Sequence, residues 1–125
     1  MQRVLLYVED TPGMPTATAW ALSLATGMSC RVFALTVIGP DAERRRDAHA
    51  SDAEERAWSH LYEIEDDAFQ KNVRISLLLE TGDPLQELVS LSTNYDAELI
   101  VVSADCRLTC SELVRQSSRP VVFVR

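Results

Sequence analysis

Five short apolar runs, separated by longer stretches of helical character, constrain the fold of this chain more than any other feature. The apolar runs span residues 3–8, 31–38, 73–79, 99–103 and 120–124. The stretches between them, which we predict to be helices, span residues 14–25, 41–70, 84–95 and 110–118. Apolar runs without polar alternation are typical of strands covered on both faces. The alternating order therefore predicts an α/β fold with a doubly wound, five-stranded parallel sheet.

Local signals predict where three of the helices begin or end. Asp83 stands directly before Pro84 as an N-cap, and Gln86 completes a capping box with it. Thr109 and the glutamate three residues later form a second capping box. Gly27 lies where a glycine that ends the first helix is expected.

The length, the N-terminus and the cysteines indicate one domain in a reducing compartment. A chain of 125 residues suits a single domain, which we expect to span residues 1–125. The apolar run before Glu9 is too short for a signal peptide or a membrane span. The cysteines, Cys30, Cys106 and Cys110, are odd in number and do not suggest a disulfide framework. We therefore expect a cytoplasmic protein.

The charge of the chain disfavours nucleic acids and anionic membranes as partners. The net charge is −7, from 19 acidic and 12 basic residues. The one basic cluster, Arg44, Arg45 and Arg46, is flanked by Asp41 and Asp47. We interpret it as a solvated helix face, because an acidic domain is poorly suited to neutralise phosphates.

Carboxylates dominate the predicted carboxyl ends of the strands. In an open doubly wound sheet, ligands bind beyond these ends, where the strand order reverses. The residues there include Glu9, Asp10, Glu80, Asp83 and Asp105. Asp83 is explained by helix capping, so the other acids are the candidates for a ligand site.

Four segments of the chain carry a family resemblance: "RVLLYVEDT", "GDPLQELV", "ELIVVSA" and "RPVVFVR". In their order and in the distances between them, they resemble the universal stress protein family. The similarity covers nearly the whole chain. It implies an adenine nucleotide alpha hydrolase-like fold with strand order 3-2-1-4-5. It also implies dimerisation through the fifth strand and, in many members, ATP binding between the first and fourth strands without proficient hydrolysis.

The sequence departs from the nucleotide-binding members of that family after the fourth strand. Those members carry a glycine-rich loop, G-x2-G-x9-G-[ST], whose backbone N–H groups bind phosphates. Here only residues 104–108 precede Thr109, and no glycine follows Gly82. At the first strand, Glu9 replaces the usual Asp, and Asp10 replaces a small residue. We therefore expect a degenerate member that binds ATP weakly or not at all.

The leading hypothesis from the sequence is a dimeric stress-response or regulatory module that binds a protein partner. We expect this module to have no cofactor and no catalytic residues. The fifth strand is short and apolar, so we expect it to pair with a second copy. The expected dimer interface consists of Val121, Val122, Phe123 and Val124.

The second hypothesis is a protein that binds adenosine or AMP in preference to ATP. By resemblance, Val8, Glu9 and Val37 correspond to positions that contact adenine and ribose. Were a nucleotide to bind, the candidate contacts would be Val8, Glu9, Asp10, Val37, Ser103 and Asp105.

Three further alternatives have less support from the sequence. A receiver-like Mg²⁺ site would use Glu9 and Asp10, but Glu80 stands where that class needs an Asp, and the fifth strand has no Lys. Cys106 and Cys110 lie at a predicted helix N-terminus, which could lower a thiol pKa and permit redox chemistry. His49 and His60 lie too far apart on a helix to bind one metal ion. We expect no metal site and no enzyme.

Overall fold

The computed structural model describes the backbone of residues 1–39 and 48–125. It describes the side chains of residues 1–39 and 52–125. The predicted start of the second helix and the cluster Arg44–Arg46 lie outside the described residues. The strands are β1 Arg3–Tyr7, β2 Arg31–Ile38, β3 Ile75–Thr81, β4 Leu99–Ser103 and β5 Val121–Val124. The helices of the described ranges are α1 Met14–Met28, α2 Ala48–Gln70, α3 Pro84–Asn94 and α4 Cys110–Gln116.

The five strands form one parallel sheet in the order β3-β2-β1-β4-β5. This confirms the predicted doubly wound fold. The chain moves outward from β1 to β3 on one side and then crosses to β4 on the other side. The order therefore reverses between β1 and β4, and a crevice opens there at the carboxyl ends of the strands.

The central strands are buried on both faces because helices cover the sheet on each side. On one face, Val4 and Leu6 of β1 pack in the cluster that contains Leu61 of α2. On the other face, Leu5 packs in the cluster that contains Leu88 of α3. All five side chains are fully buried. Each such side chain contributes about 1.5–3 kcal/mol by leaving water, so these two clusters hold the layers together.

One of the two predicted N-cap residues makes a capping hydrogen bond through its side chain. The carboxylate of Asp83 accepts a hydrogen bond from the backbone N–H of Gln86 at 2.9 Å, which confirms the N-cap of α3. The prediction for Thr109 was wrong in part. Thr109 has the extended backbone of an N-cap, but its side chain makes no capping hydrogen bond. Because this turn is exposed, water can satisfy the first N–H groups of α4.

Two element ends also differ from the predictions. Gly27 does not end α1, which continues to Met28, and Ser29 takes the left-handed conformation with φ 54°. The helix ends there because Cys30 is buried and its N–H donates to Ala25 O at 3.1 Å, as in a Schellman motif. Strand β3 begins two residues later than predicted, at Ile75, since Asn72, with φ 56°, first closes the turn after α2.

Across the described residues, no helix combines the length and the apolar character needed to cross a membrane.

Candidate ligand crevice

The candidate site lies between the loop that follows β1, residues 8–13, and the loop that follows β4, residues 104–109. The first loop leads into the N-terminus of α1, and the second leads into α4. Each loop contributes a carboxylate to the crevice, Glu9 and Asp105. These two carboxylates make different contacts.

The carboxylate of Asp105 accepts hydrogen bonds from three donors. They are the hydroxyl of Ser103 at 2.5 Å, the hydroxyl of Thr11 at 2.8 Å and the backbone N–H of Gly13 at 2.8 Å. These donors, with Ser103 the strongest, hold the pKa of Asp105 below its ordinary value. A free N–H at a helix N-terminus is a common anion site. At the N-terminus of α1, the carboxylate of Asp105 already accepts from that N–H.

Gly13 is required at this position because the two loops approach closely. A Cβ atom on residue 13 would lie 2.5 Å from Ser103 Oγ and 2.9 Å from Asp105 Oδ1. Real Cβ atoms do not come so close to other heavy atoms. The absence of a side chain at Gly13 therefore lets the loop after β4 dock against the N-terminus of α1.

Arg107 extends from the loop after β4 across the ends of β1 and β2. Its Nε lies 3.2 Å from Glu9 Oε2, and its backbone N–H donates to Glu9 Oε1 at 3.2 Å. Its Nη2 donates to the carbonyl oxygen of Val37 at 3.0 Å. Arg107 thus binds a carboxylate and a backbone carbonyl on two neighbouring strands.

Glu9 is held by groups of the protein itself. Besides Arg107, the hydroxyl of Tyr7 donates to Glu9 Oε2 at 2.6 Å. Burial and then this hydrogen bond raise the pKa of Tyr7, so the hydroxyl stays a neutral donor. The side chain of Glu9 is only 16 % exposed. A carboxylate so little exposed needs a cation nearby, and Arg107 supplies it.

The other predicted contact residues lie around this arrangement. Val8 is buried in the core, with its backbone N–H bonded to Leu35 O, so its side chain does not face the crevice. The side chain of Asp10 is 95 % exposed and approaches His60 of α2 at 3.9 Å. The structure thus places Glu9 and Val37 at Arg107, and Ser103 with Asp105 at α1, while Asp10 forms no hydrogen bond or ion pair with either group.

A cleft of about 440 Å³ remains beside Arg107, between the carboxyl ends of β1 and β2 and the facing side of α2. Glu9, Asp10 and Val37 line one side of it, and His60 lines the other. Its volume lies within the range of roughly 300–1,000 Å³ that small-molecule pockets have in proteins.

The alternative chemistries find no support in this geometry. Strand β2 lies between β1 and β3, so Glu80 does not stand beside Glu9 as a shared Mg²⁺ site requires. In the part of the chain that the structure describes, no three metal-binding side chains form a cluster. Burial raises the pKa of Cys106, which is the opposite of the lowered pKa that redox chemistry would need.

The expected interface strand, β5, is an edge of the sheet and pairs with β4 alone in the described ranges. Val121, Val122 and Phe123 are half-buried, and Val124 is buried. The carbonyl group of Pro120 accepts from Ile100 of β4, and that of Val124 accepts from Ala104, the residue after β4. Since strand residues alternate in the direction of their backbone groups, Val121 and Phe123 present N–H and C=O groups at the free edge.

Sequence reasoning missed four residues that complete the crevice: Tyr7, Thr11, Gly13 and Arg107. Arg107 carried a usable signal, because it is a cation in a loop that faces several carboxylates. The roles of Tyr7 and Gly13 depend on distances between loops far apart in the sequence, which no local pattern reports.

Comparison with known proteins agrees with this fold. No curated protein matches the sequence. A universal stress protein in complex with cAMP matches with a TM-score of 0.81 at 21 % identity, over 99 % of this chain and 97 % of that one. The Archaeoglobus fulgidus universal stress protein in complex with dAMP gives 0.79 at 15 %, over 100 % and 98 %. A universal stress protein family protein from Arabidopsis thaliana with AMP bound gives 0.77 at 15 %, over 99 % and 91 %.

At these identities the structural matches establish the fold alone. The family model described as "Universal stress protein family" matches residues 1–125 of the sequence. The match covers the entire chain, and the sheet order and the crevice between β1 and β4 are in accord with it. The chain therefore belongs to the universal stress protein family.

Proposed function

We propose that this chain is a regulatory universal stress protein module in which the loop after β4 fills the ligand crevice. The observation that carries the proposal is Arg107, which donates to Val37 O and pairs with Glu9. A bound ligand would have to replace these contacts. On this proposal, the side chains of the loop occupy the space in which a ligand would bind.

The electrostatics of the crevice disfavour the binding of a triphosphate. The N–H group of Gly13 is bonded to the carboxylate of Asp105, which would repel a phosphate close by. The loop itself has no glycine to let its backbone close on phosphate oxygens. The residues present therefore do not fit the triphosphate of ATP.

A second candidate function, binding of adenosine or AMP, is favoured by the cleft beside Arg107. The named relatives contain cAMP, dAMP or AMP, which are adenine monophosphates. Glu9, Asp10 and Val37, three of the candidate contacts, line the cleft in this chain. A neutral adenosine would avoid the repulsion from Asp105, so on this proposal it would bind more tightly than ATP.

Isothermal titration calorimetry with ATP, AMP and adenosine, with and without Mg²⁺, tests both candidates. We expect no saturable ATP binding at micromolar concentrations. In Arg107→Ala, we expect adenosine to bind at least about tenfold more tightly, because a hydrogen bond from a charged group, worth about 1.5–3 kcal/mol, no longer has to be displaced. Arg115→Gln, an exposed arginine on α4, serves as the control.

Low-micromolar ATP binding by the unaltered protein would contradict the proposed closed crevice. Micromolar binding of adenosine or AMP, with weaker ATP binding, would favour the second candidate. Equal adenosine affinities of the unaltered protein and Arg107→Ala would show that Arg107 does not obstruct the crevice.

We also propose that the module works as a homodimer, binds a protein partner and does not act as an enzyme. The free edge of β5 supports the dimer, because unpaired backbone groups on an edge strand accept a further strand.

Free thiols support a reducing compartment: Cys30 is buried and Cys110 exposed, and neither forms a disulfide bond in the structure. We therefore propose that the protein acts in the cytoplasm.

A further inference from the structure

Three arginines stand in a row at the amino ends of neighbouring strands, on the opposite edge of the sheet from the ligand crevice. Arg3 of β1 is the register partner of Arg31 of β2. Arg74 directly precedes β3, and its carbonyl oxygen accepts from the N–H of Val32 in β2. The strand order β3-β2-β1 therefore places Arg74, Arg31 and Arg3 side by side.

The carboxylates of this edge lie on the other side of β1, where they bond to other groups of the protein. Asp96 approaches Arg119 at 3.3 Å and Arg3 only at 3.9 Å. Glu98 accepts from the N–H of Gln2 at 2.7 Å and approaches the N-terminal amino group at 3.8 Å.

The other two arginines of the row lack such a partner. Arg31 donates to the neutral hydroxyl of Ser76 at 3.1 Å. Among the side chains of residues 1–39 and 52–125, neither Arg31 nor Arg74 has an ion-pair partner.

The row therefore forms a positive site in a chain whose net charge is −7. Like charges on neighbouring strands repel one another, and the fold tolerates them best when an anion lies between them. The C-terminal ends of α1 and α2 also point to this edge of the sheet. Each carries about half a negative charge, so together they offset no more than about one of the three guanidinium charges.

A cleft of about 380 Å³ opens at these residues, and donors surround it. Its lining consists of Gln2, Arg3, Ser29, Arg31 and Arg74, with no acidic side chain among the described residues that form it. A guanidinium group binds two oxygens of a phosphate at once, and Gln2 and Ser29 can add neutral hydrogen bonds. The volume is in the range of small-molecule pockets.

We propose that this amino-edge cleft is a binding site for a small phosphorylated molecule whose phosphate groups carry at least two negative charges. The site is separate from the crevice at the carboxyl edge, so it does not depend on the function proposed above. A ligand here would contact β1, β2 and β3 together with Ser29, the residue at the C-terminal end of α1. The module would then sense an anion at one edge of the sheet while Arg107 keeps the other edge closed.

Titration with inorganic pyrophosphate at low ionic strength tests the site. We expect saturable binding by calorimetry that weakens as salt is added, since the attraction is electrostatic. Arg31→Gln/Arg74→Gln should weaken binding by at least about tenfold, because it removes two charge-assisted donors. The control, Arg115→Gln/Arg125→Gln, changes the net charge equally at exposed positions outside the cleft and should bind as the unaltered protein does. Arg74→Gln alone, at an exposed position, provides a second variant should the double variant fail to fold.

Amide NMR shifts during the same titration identify where pyrophosphate binds. Shifts of Gln2, Ser29 and Arg31 would support the proposed site. Shifts confined to Thr11 and Gly13 would place the anion in the crevice and overturn the proposal. Equal affinities of the site variants and the control variant, or binding that does not saturate, would also overturn it.

Discussion

Asp105 has surroundings that resemble those of a bound anion. Two hydroxyl groups and one backbone N–H at a helix N-terminus point at its carboxylate. Arg107, two residues later, has surroundings that resemble those of a bound cation, since it meets the carboxylate of Glu9 and the carbonyl of Val37. One short loop thus brings a carboxylate and a guanidinium group to the positions where we propose that a ligand would otherwise bind.

Acid should weaken the fold partly through Asp105. Its pKa in the folded protein is lowered by the donors that bind it, so it stabilises the fold above its ordinary pKa of about 4, and this contribution is lost as the pH falls through the lowered value. Asp105→Asn should be less stable than the unaltered protein at pH 6, and the difference should shrink below about pH 4. Urea unfolding of both proteins between pH 2 and 7 measures this. A difference that stays constant with pH would contradict the role assigned to the carboxylate.

At the scale of elements, the strands were predictable and several helix ends were not. Strands β1 and β4 are apolar on both faces because helices cover them, and that pattern is visible in the sequence. The end of α1 is set by the burial of Cys30, so Gly27 lies inside the helix although its residue type favours an end. The capping prediction succeeded at Asp83 but not for the hydroxyl of Thr109, which lies in an exposed turn that solvent can satisfy.

Gly27→Ala should stabilise the protein. Gly27 lies within α1, and a Cβ atom there would meet no heavy atom within 4 Å. Alanine is favoured over glycine in helices by about 0.8–1 kcal/mol, so we expect a gain of roughly 0.5–1 kcal/mol near this helix end. Denaturant unfolding measures the gain. Gly13→Ala is the contrasting variant and should be destabilising, because its Cβ would collide with Ser103 and Asp105. A loss of stability in Gly27→Ala would contradict the helical assignment of residue 27.

At the scale of the whole molecule, the crevice differs from the prediction in how its charges are balanced. Crowded carboxylates at the carboxyl edge were evident from Glu9, Asp10 and Asp105, but no cation of the chain was predicted to lie among them. That the cation is Arg107 depends on where a long side chain extends, and sequence periodicity carries no information on this. The amino ends of β1, β2 and β3 differ in charge from the carboxyl edge, since Arg3, Arg31 and Arg74 stand there while Asp96 and Glu98 lie beyond β1, before β4.

The free edge of β5 predicts a specific effect on assembly. Val121 presents its N–H at this edge, away from β4, so Val121→Pro should remove a hydrogen bond between subunits without breaking the pairing with β4. Two such bonds in a two-fold dimer, each worth about 0.5–1.5 kcal/mol, correspond to roughly a tenfold to hundredfold weaker dimer. Light scattering over a range of concentrations measures the change, and circular dichroism checks the fold. An unchanged dimer would mean that the subunits meet elsewhere.

The central claim, that the protein's own loop fills the crevice, is tested most directly by native mass spectrometry of freshly purified protein before any nucleotide is added. The account predicts subunits, paired as dimers, that carry no mass of an adenine nucleotide, because on our proposal Arg107 and Asp105 take the positions where a nucleotide would bind. Subunits that retain the mass of an adenine nucleotide, and lose it in a variant of Glu9 or Val37, would contradict the claim.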